Sequence, residues 1–175
     1  HHDPVHQISI ISRGGAGGYT MPLPEKDEMY LTKGKMLQDI VVCLGGRIAE
    51  SLVFDDVTTG AVQDIRQATE RARDMVTKYG FSDELGMINY STSDDEVFIG
   101  REIGHAKNFS EGTAAVIDQE VKRIIESCRE KATKILKENR KVLDKLAELL
   151  IEKERIGQQE FEALFEQNDE TIEEM

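Results

Sequence analysis

The stretch from Val57 to Gly80 leaves the backbone little choice. Ala61, Ile65, Ala68, Ala72 and Val76 recur at helical spacing and predict one buried stripe along an amphipathic helix. Thr58 and Thr59 precede it as N-cap candidates, since a threonine hydroxyl can satisfy orphan N–H groups of a first turn. Tyr79-Gly80 closes it, with glycine suited to the left-handed position after a helix. The anomaly is Asp64. It lies three residues after Ala61 and four before Ala68, which places it on the flank of the stripe expected to face the core. A carboxylate there must be paired, hydrogen-bonded or bound to a metal, because burying it bare is costly. The helix dipole offsets only ~0.3–1 kcal/mol of that cost. Two readings stand: a charge that caps the helix or pairs with a core-facing arginine, and a metal ligand.

Composition limits what such a chain can be. Its 175 residues are 39% hydrophobic, enough for one well-buried domain or two small ones. Thirty-four acidic residues against 22 basic ones give a net charge of −12. That balance excludes a phosphate-tracking nucleic-acid binder and a segment that docks on anionic bilayers. Cys43 and Cys128 each fall in an apolar helical stretch and are expected to be reduced thiols rather than a disulfide. No apolar run approaches the ~18 residues of a membrane span.

Before this helix, Val5 to Ile11 predicts a strand with His6, Ile8 and Ile10 on one face and Gln7 and Ser9 on the other. The glycine run from Arg13 to Gly18 lacks the Gly-Lys-Ser/Thr ending of a phosphate loop and is expected to connect a hairpin. Tyr19-Thr20-Met21, closed by Pro22 and Pro24, then forms an edge strand, where missing N–H donors are tolerated. A helix follows Leu31-Thr32, with Met36, Leu37, Ile40, Val41, Leu44 and Ile48 inward and an interruption at Gly45-Gly46 marking close approach of another backbone, expected to be that of a helix this chain does not contain. Phe81 to Gly86 reads as a capped turn, Met87 to Tyr90 as a short strand, and Ser91 to Glu96 as a polar loop. Ser110 should cap a long helix whose stripe is Ile117, Val121, Ile124, Ile125, Cys128, Ala132, Ile135 and Leu136, broken at Asn139. Leu143, Leu146, Ala147 and Leu150 face inward from the next helix. Ile156-Gly157 turns the chain, and Phe161, Leu164 and Phe165 anchor a final short helix. The fold class expected is mainly α, with a small N-terminal β-hairpin and a C-terminal helical hairpin. Residues 1–166 form the domain and 167–175 an acidic, disordered tail. His1, His2, His6 and His105 share no ligand spacing and are expected to be ordinary or tag histidines.

Val-Thr-Thr-Gly-Ala-x-x-Asp at 57–64 follows Leu44-Gly45-Gly46-Arg47-Ile48-Ala49-Glu50 and Leu52-Val53-Phe54, and further along stand Phe98-Ile99-Gly100-Arg101-Glu102 and Asn108-Phe109-Ser110-Glu111. Together these segments closely resemble the peptidase domain of FtsH-type ATP-dependent zinc metalloproteases, from Asp3 to about Phe165. The resemblance implies that Asp64 is the third protein ligand of a catalytic zinc. It also implies that the strand containing Gly17, Gly18, Tyr19 and Thr20 borders the active-site cleft and binds substrate by strand addition. Ser12 departs from the proline common there in the family.

The His-Glu-x-x-His helix, which in this family supplies two zinc ligands and the catalytic glutamate, does not occur in the sequence; in the family it lies shortly upstream of Asp-Pro-Val. Zinc catalysis needs three protein ligands and an open position, so this chain alone is expected to be inactive, with no catalytic residue of its own. What the resemblance implies for a bacterial parent is a hexameric ring at the cytoplasmic face of the membrane. Upstream segments would anchor it, a domain using ATP and magnesium would drive it, and it would degrade unfolded or membrane proteins. A non-catalytic helical oligomerisation module is the alternative, and a general helical adaptor with accidental matches is the third reading.

Overall fold

A computed structural model describes residues 3–12, 17–24, 29–54, 56–91 and 109–173, with 167–173 as backbone alone. The expected polar loop beyond Ser91, His105, most of the glycine run and the first two histidines lie outside the described residues. Five helices and one small sheet make up the described elements, so the chain is mainly α as its periodicity predicts. The chain divides into two compact units, Leu31–Thr133 and the remainder.

In the larger unit, α1 (Lys33–Val53) packs on α2 (Val62–Thr77). Thr32 starts α1 by accepting the Lys35 N–H on its hydroxyl at 3.1 Å. Met36, Ile40, Leu44 and Ile48 form its buried stripe, with Leu37 and Val41 half-buried beside them. Gly45-Gly46 does not interrupt the helix. A side chain at either would meet no described atom within 4 Å, so no described residue makes the close approach. Burial of that apolar stripe outweighs the ~1 kcal/mol that each glycine costs a helix.

On α2, Ala61, Ala68, Ala72 and Val76 are buried as expected and Met75 joins them, but Ile65 is 39% exposed. No described element covers the first turn of α2, where Val62 is also exposed. Gly80, at φ 62°, ends the helix in the left-handed region, and Phe81 N–H returns to the Met75 carbonyl at 2.9 Å. The expected strand at Met87 to Tyr90 does not form. The N–H groups of Tyr90 and Ser91 both donate to the Thr77 carbonyl, which satisfies them without a partner strand.

Ser110 caps α3 (Glu111–Glu138) through the Thr113 N–H, as its sequence predicts. Ile117, Val121, Ile124, Cys128 and Ala132 are buried, while Ile135 is exposed. Glu120 is buried among them at 7% exposure and accepts hydrogen bonds from Ser82 Oγ at 2.7 Å and from Arg123 Nε and Nη2 at 2.8 Å. The Ser82 hydroxyl also accepts the Leu85 N–H, so one carboxylate fixes the turn after α2 to α3. Hydrogen bonding to Arg123 holds the Glu120 carboxyl below its ordinary range, against the opposing effect of burial and with help from Ser82. Both cysteines are free thiols, and burial raises each above its usual value.

The other unit is built on β1 (Val5–Ser9). It pairs antiparallel with β2 (Tyr19–Pro22) on one side and with β3 (Arg155–Gly157) on the other. β3 is an addition to the expected hairpin, since Ile156-Gly157 reads as a turn in sequence. It forms because Glu154, at φ 61°, ends α4 (Arg140–Lys153) and turns the chain back along β1. The Glu154 carbonyl receives Ile10 N–H at 3.0 Å and Ser9 Oγ at 3.3 Å. The covered face of β1 is therefore that of Ser9, 2% exposed, and Ile10 on the opposite face is left 44% exposed. A register shift lies between Val5 and Gln7, at the start of the strand. Val142 and Leu150 are the buried residues of α4, whereas Ala147 is exposed. The backbone of α5 (Gln158–Glu173) remains helical through most of the expected disordered tail. Phe161 and Phe165 stack edge to face in it at 5.4 Å.

Two expectations follow. A Cβ at Gly18 would lie 2.5 Å from the Ser9 carbonyl oxygen, while one at Gly17 would meet nothing within 4 Å. Gly18→Ala should cost about 1–3 kcal/mol in urea unfolding, and Gly17→Ala should be nearly neutral. Because the folded-state pKa of Glu120 is depressed, its contribution is present above the ordinary carboxylate value and is lost as pH falls through the lowered one. Glu120→Gln should destabilise the chain by about 1–3 kcal/mol at neutral pH and flatten the acid limb of its stability curve.

Candidate functional site

The first turn of α2 is fixed differently from the sequence expectation. Ala61 occupies the N-cap position and gives no side-chain bond. Neither threonine caps the helix directly. Thr58 instead accepts the Gly60 N–H on its hydroxyl at 3.1 Å and donates that hydroxyl to Glu50 Oε1 on α1 at 2.6 Å. Val62 N–H donates to the Thr59 carbonyl at 3.1 Å, closing the turn into the helix. Glu50 Oε2 faces Arg47 Nε at 4.0 Å, and both atoms are shut off from solvent without a hydrogen-bond partner among the described residues.

Asp64 stands in this first turn as its acidic residue. It is exposed, not set on a core-facing flank. The buried stripe narrows where Ile65 turns outward, and Asp64 turns with it. It forms no hydrogen bond or ion pair with the other described residues. The capping reading and the arginine-pairing reading therefore find no support in its surroundings, and the carboxylate is free to act as a donor. Beside it lies an open depression of about 350 Å³ lined by Arg47, Val57, Thr58, Thr59, Val62 and Ile65.

A zinc ion would fit this carboxylate as an oxygen donor, but the described residues do not complete its coordination. Among them no group of three His, Cys, Asp or Glu side chains converges. Cys43 is near enough for the Asp64 charge to help raise its thiol, yet its sulfur accepts a hydrogen bond from Arg71 at 3.1 Å. A protonated, half-buried thiol is a poor ligand.

The predicted edge strand is an edge. β2 has β1 on one side and no described strand on the other. Gly18 approaches the Ser9 carbonyl closely, and the Tyr19 hydroxyl donates to Gln7 Oε1 at 2.7 Å, which pins the start of the strand to β1. Thr20 and Met21 are exposed, and Gly17 has open space around it. Pro22 has no N–H to offer an added strand. β2 belongs to one compact unit and Asp64 to the other.

Sequence reasoning missed Glu50 and Arg47 as supports of the α2 entry, and missed Glu120. The signal for Glu120 was legible: a carboxylate in phase with Ile117, Val121 and Ile124 must find partners. Nothing in the sequence pairs Glu50 with Thr58.

Comparison with known proteins bears on both features. Residues 1–164 match the family model described as Peptidase family M41. The chain is 52% identical over 166 residues to "ATP-dependent zinc metalloprotease FtsH 1" of Thermoanaerobacter sp. (strain X514), covering 95% of this chain and 27% of that protein. It is 54% identical over 162 residues to "ATP-dependent zinc metalloprotease FtsH" of Caldicellulosiruptor bescii, covering 93% and 26%. The protein of that name from Thermotoga maritima is 45% identical over 171 residues, covering 97% and 28%. The chain thus spans about a quarter of the length of the curated relatives it matches. A match over nearly its whole length, with identities near one half, places this chain in peptidase family M41.

Proposed function

We propose that this chain is the peptidase-domain portion of a membrane-anchored, ATP-dependent zinc metalloendopeptidase that degrades unfolded or membrane proteins, and that Asp64 is one of its zinc ligands. The observation that carries the reading is the free Asp64 carboxylate at the start of α2, within the Val-Thr-Thr-Gly-Ala-x-x-Asp motif of an M41 chain. An exposed, unpaired carboxylate in a first turn lies at the positive end of the helix dipole with its oxygens open to a metal. The other ligands and the general base come from a His-Glu-x-x-His helix outside this sequence. Zinc, when bound, supplies a Lewis acid and an activated water. Thr58, Glu50 and the turn they fix hold Asp64, and the β2 edge receives extended polypeptide through backbone hydrogen bonds.

Further elements of this reading come from the relatives' names and from the family resemblance. An ATPase domain using ATP and magnesium lies outside the chain and drives substrate toward the peptidase. No described helix is long and apolar enough to cross a membrane, so anchoring at the cytoplasmic face is assigned to other segments. The assembly is a ring of six. Phe54, Val57 and Val62 are exposed around the start of α2, and open space adjoins Gly45 and Gly46. Apolar surface of that kind supports coverage by further chain or by a neighbouring copy.

Asp64→Asn tests the ligand role. Since Asp64 is exposed and unpaired among the described residues, the substitution should change stability by no more than about 0.5 kcal/mol. In the intact gene product it should nevertheless abolish most zinc binding and casein cleavage. Zinc content and proteolysis equal to wild type would refute the assignment. Sedimentation of the intact protein should show a closed oligomer; a monomer at all concentrations, with zinc and proteolysis intact, would remove the ring from the reading.

A further inference from the structure

We infer that Glu50 and Thr58 are positioning residues for Asp64: a carboxylate on α1 holds the turn from which α2, and with it Asp64, is aimed. The inference rests on the reading of Asp64 as a metal ligand. Its basis is the unusual way in which α2 begins. A helix normally fixes its entry with a side chain at the N-cap. Here that position is Ala61, which has no oxygen to offer. The hydroxyl that does the fixing sits three residues earlier, on Thr58, and its partner is on another helix. Entry to α2 is thereby set by α1 rather than by α2 itself.

The details suit a brace. At 2.6 Å, the Thr58 hydroxyl to Glu50 Oε1 bond is short and charge-assisted, the stronger kind. Arg47 on the same helix faces the other oxygen, Oε2, at 4.0 Å, balancing its charge. Oε1 is left to reach the turn. Gly60 is part of the fit, since a Cβ there would stand 3.2 Å from Thr58 Oγ1 and 4.0 Å from Glu50 Oε1. The segment so held, Val57 to Gly60, is exposed throughout. It buries little, so its placement matters less for the stability of the helix pair than for the direction of the first turn. Metal ligands depend on such outer supports, whose loss weakens metal binding while the ligands themselves remain.

The test uses the intact gene product with Thr58→Val, Thr58→Ser, Glu50→Ala, the Thr58→Val/Glu50→Ala double variant, and Asp64→Asn as reference. Zinc affinity is measured by competition with a chromophoric chelator, backbone protection of residues 57–64 by hydrogen exchange, and folding by thermal midpoint. Thr58→Val and Glu50→Ala should each raise the zinc Kd about tenfold, with faster exchange in the turn and little change in midpoint. The double variant should be no worse than the more severe single one, because both remove one brace. Thr58→Ser, which keeps both bonds, should stay within about twofold of wild type. Unchanged zinc affinity in Thr58→Val, additive losses in the double variant, or failure of serine to restore affinity would overturn the inference. Should Glu50→Ala not fold, the valine and serine variants decide between the outcomes. If Asp64→Asn loses zinc while Thr58→Val keeps it, only the brace falls. If Asp64→Asn keeps zinc, the ligand reading falls and takes the brace with it.

Discussion

The close packing of α1 on α2 is what the candidate site depends on. Ala68 and Ala72 have no exposed surface at all, and neither has Met75 or Val76. Alanines at this spacing present a nearly flat helix face, which lets a neighbouring helix approach and leaves the larger side chains to fill the seam. Opposite them, Met36, Ile40, Leu44 and Ile48 supply the volume. With the two helices held at that spacing, the end of α1 runs beside the turn that opens α2, and Glu50 comes within hydrogen-bonding distance of Thr58. A bulkier residue at Ala68 would part the helices and separate that pair before it disturbed Asp64 directly.

Much of this was legible from periodicity. The buried residues of α1 stand where the 3.6-residue pattern puts them, and Ser110 and Gly80 mark the ends they were expected to mark. The edge position of β2 followed from Pro22, because a proline cannot donate to a second neighbour. The departures share a cause: each depends on what covers a surface, which one-dimensional patterns do not encode. Ile65 has the phase of a core residue but no layer over it, so it and Asp64 lie outside. The alternation of β1 separates Ser9 from Ile10 but does not say which face is covered, and Glu154 is bonded on the Ser9 side. The third strand was invisible because Ile156-Gly157 is too short to show alternation and pairs across most of the chain. Asp64 itself was found by motif, on a mistaken picture of its surroundings. It is exposed and has no hydrogen-bond or ion-pair partner among the described residues.

The acidic surplus has a clear distribution on the described helices. Arg66 with Glu70, Arg129 with Glu126, and Arg140 with Asp144 are exposed pairs one helical turn apart. Each contributes little, because solvent competes for both partners and salt screens them. Glu120 differs because its partners include Ser82 from another segment and its surroundings exclude water. One buried carboxylate therefore contributes more to holding this unit together than the surface pairs do.

The pairing of β1 with β3 has a consequence for how the chain is made. Ser9 and Glu154, joined through hydroxyl and carbonyl, are 145 residues apart in sequence. At a synthesis rate of roughly 5–20 residues per second, on the order of ten seconds separate their emergence from the ribosome. During that interval β1 can find β2 but not β3, so one side of the nascent hairpin stays open to any extended chain nearby. The helical unit Leu31–Thr133 is encoded between them and emerges before β3 does. Newly made chains would thus pass through a stage with that unit emerged and an open strand edge, the stage at which binding by a chaperone would be most useful.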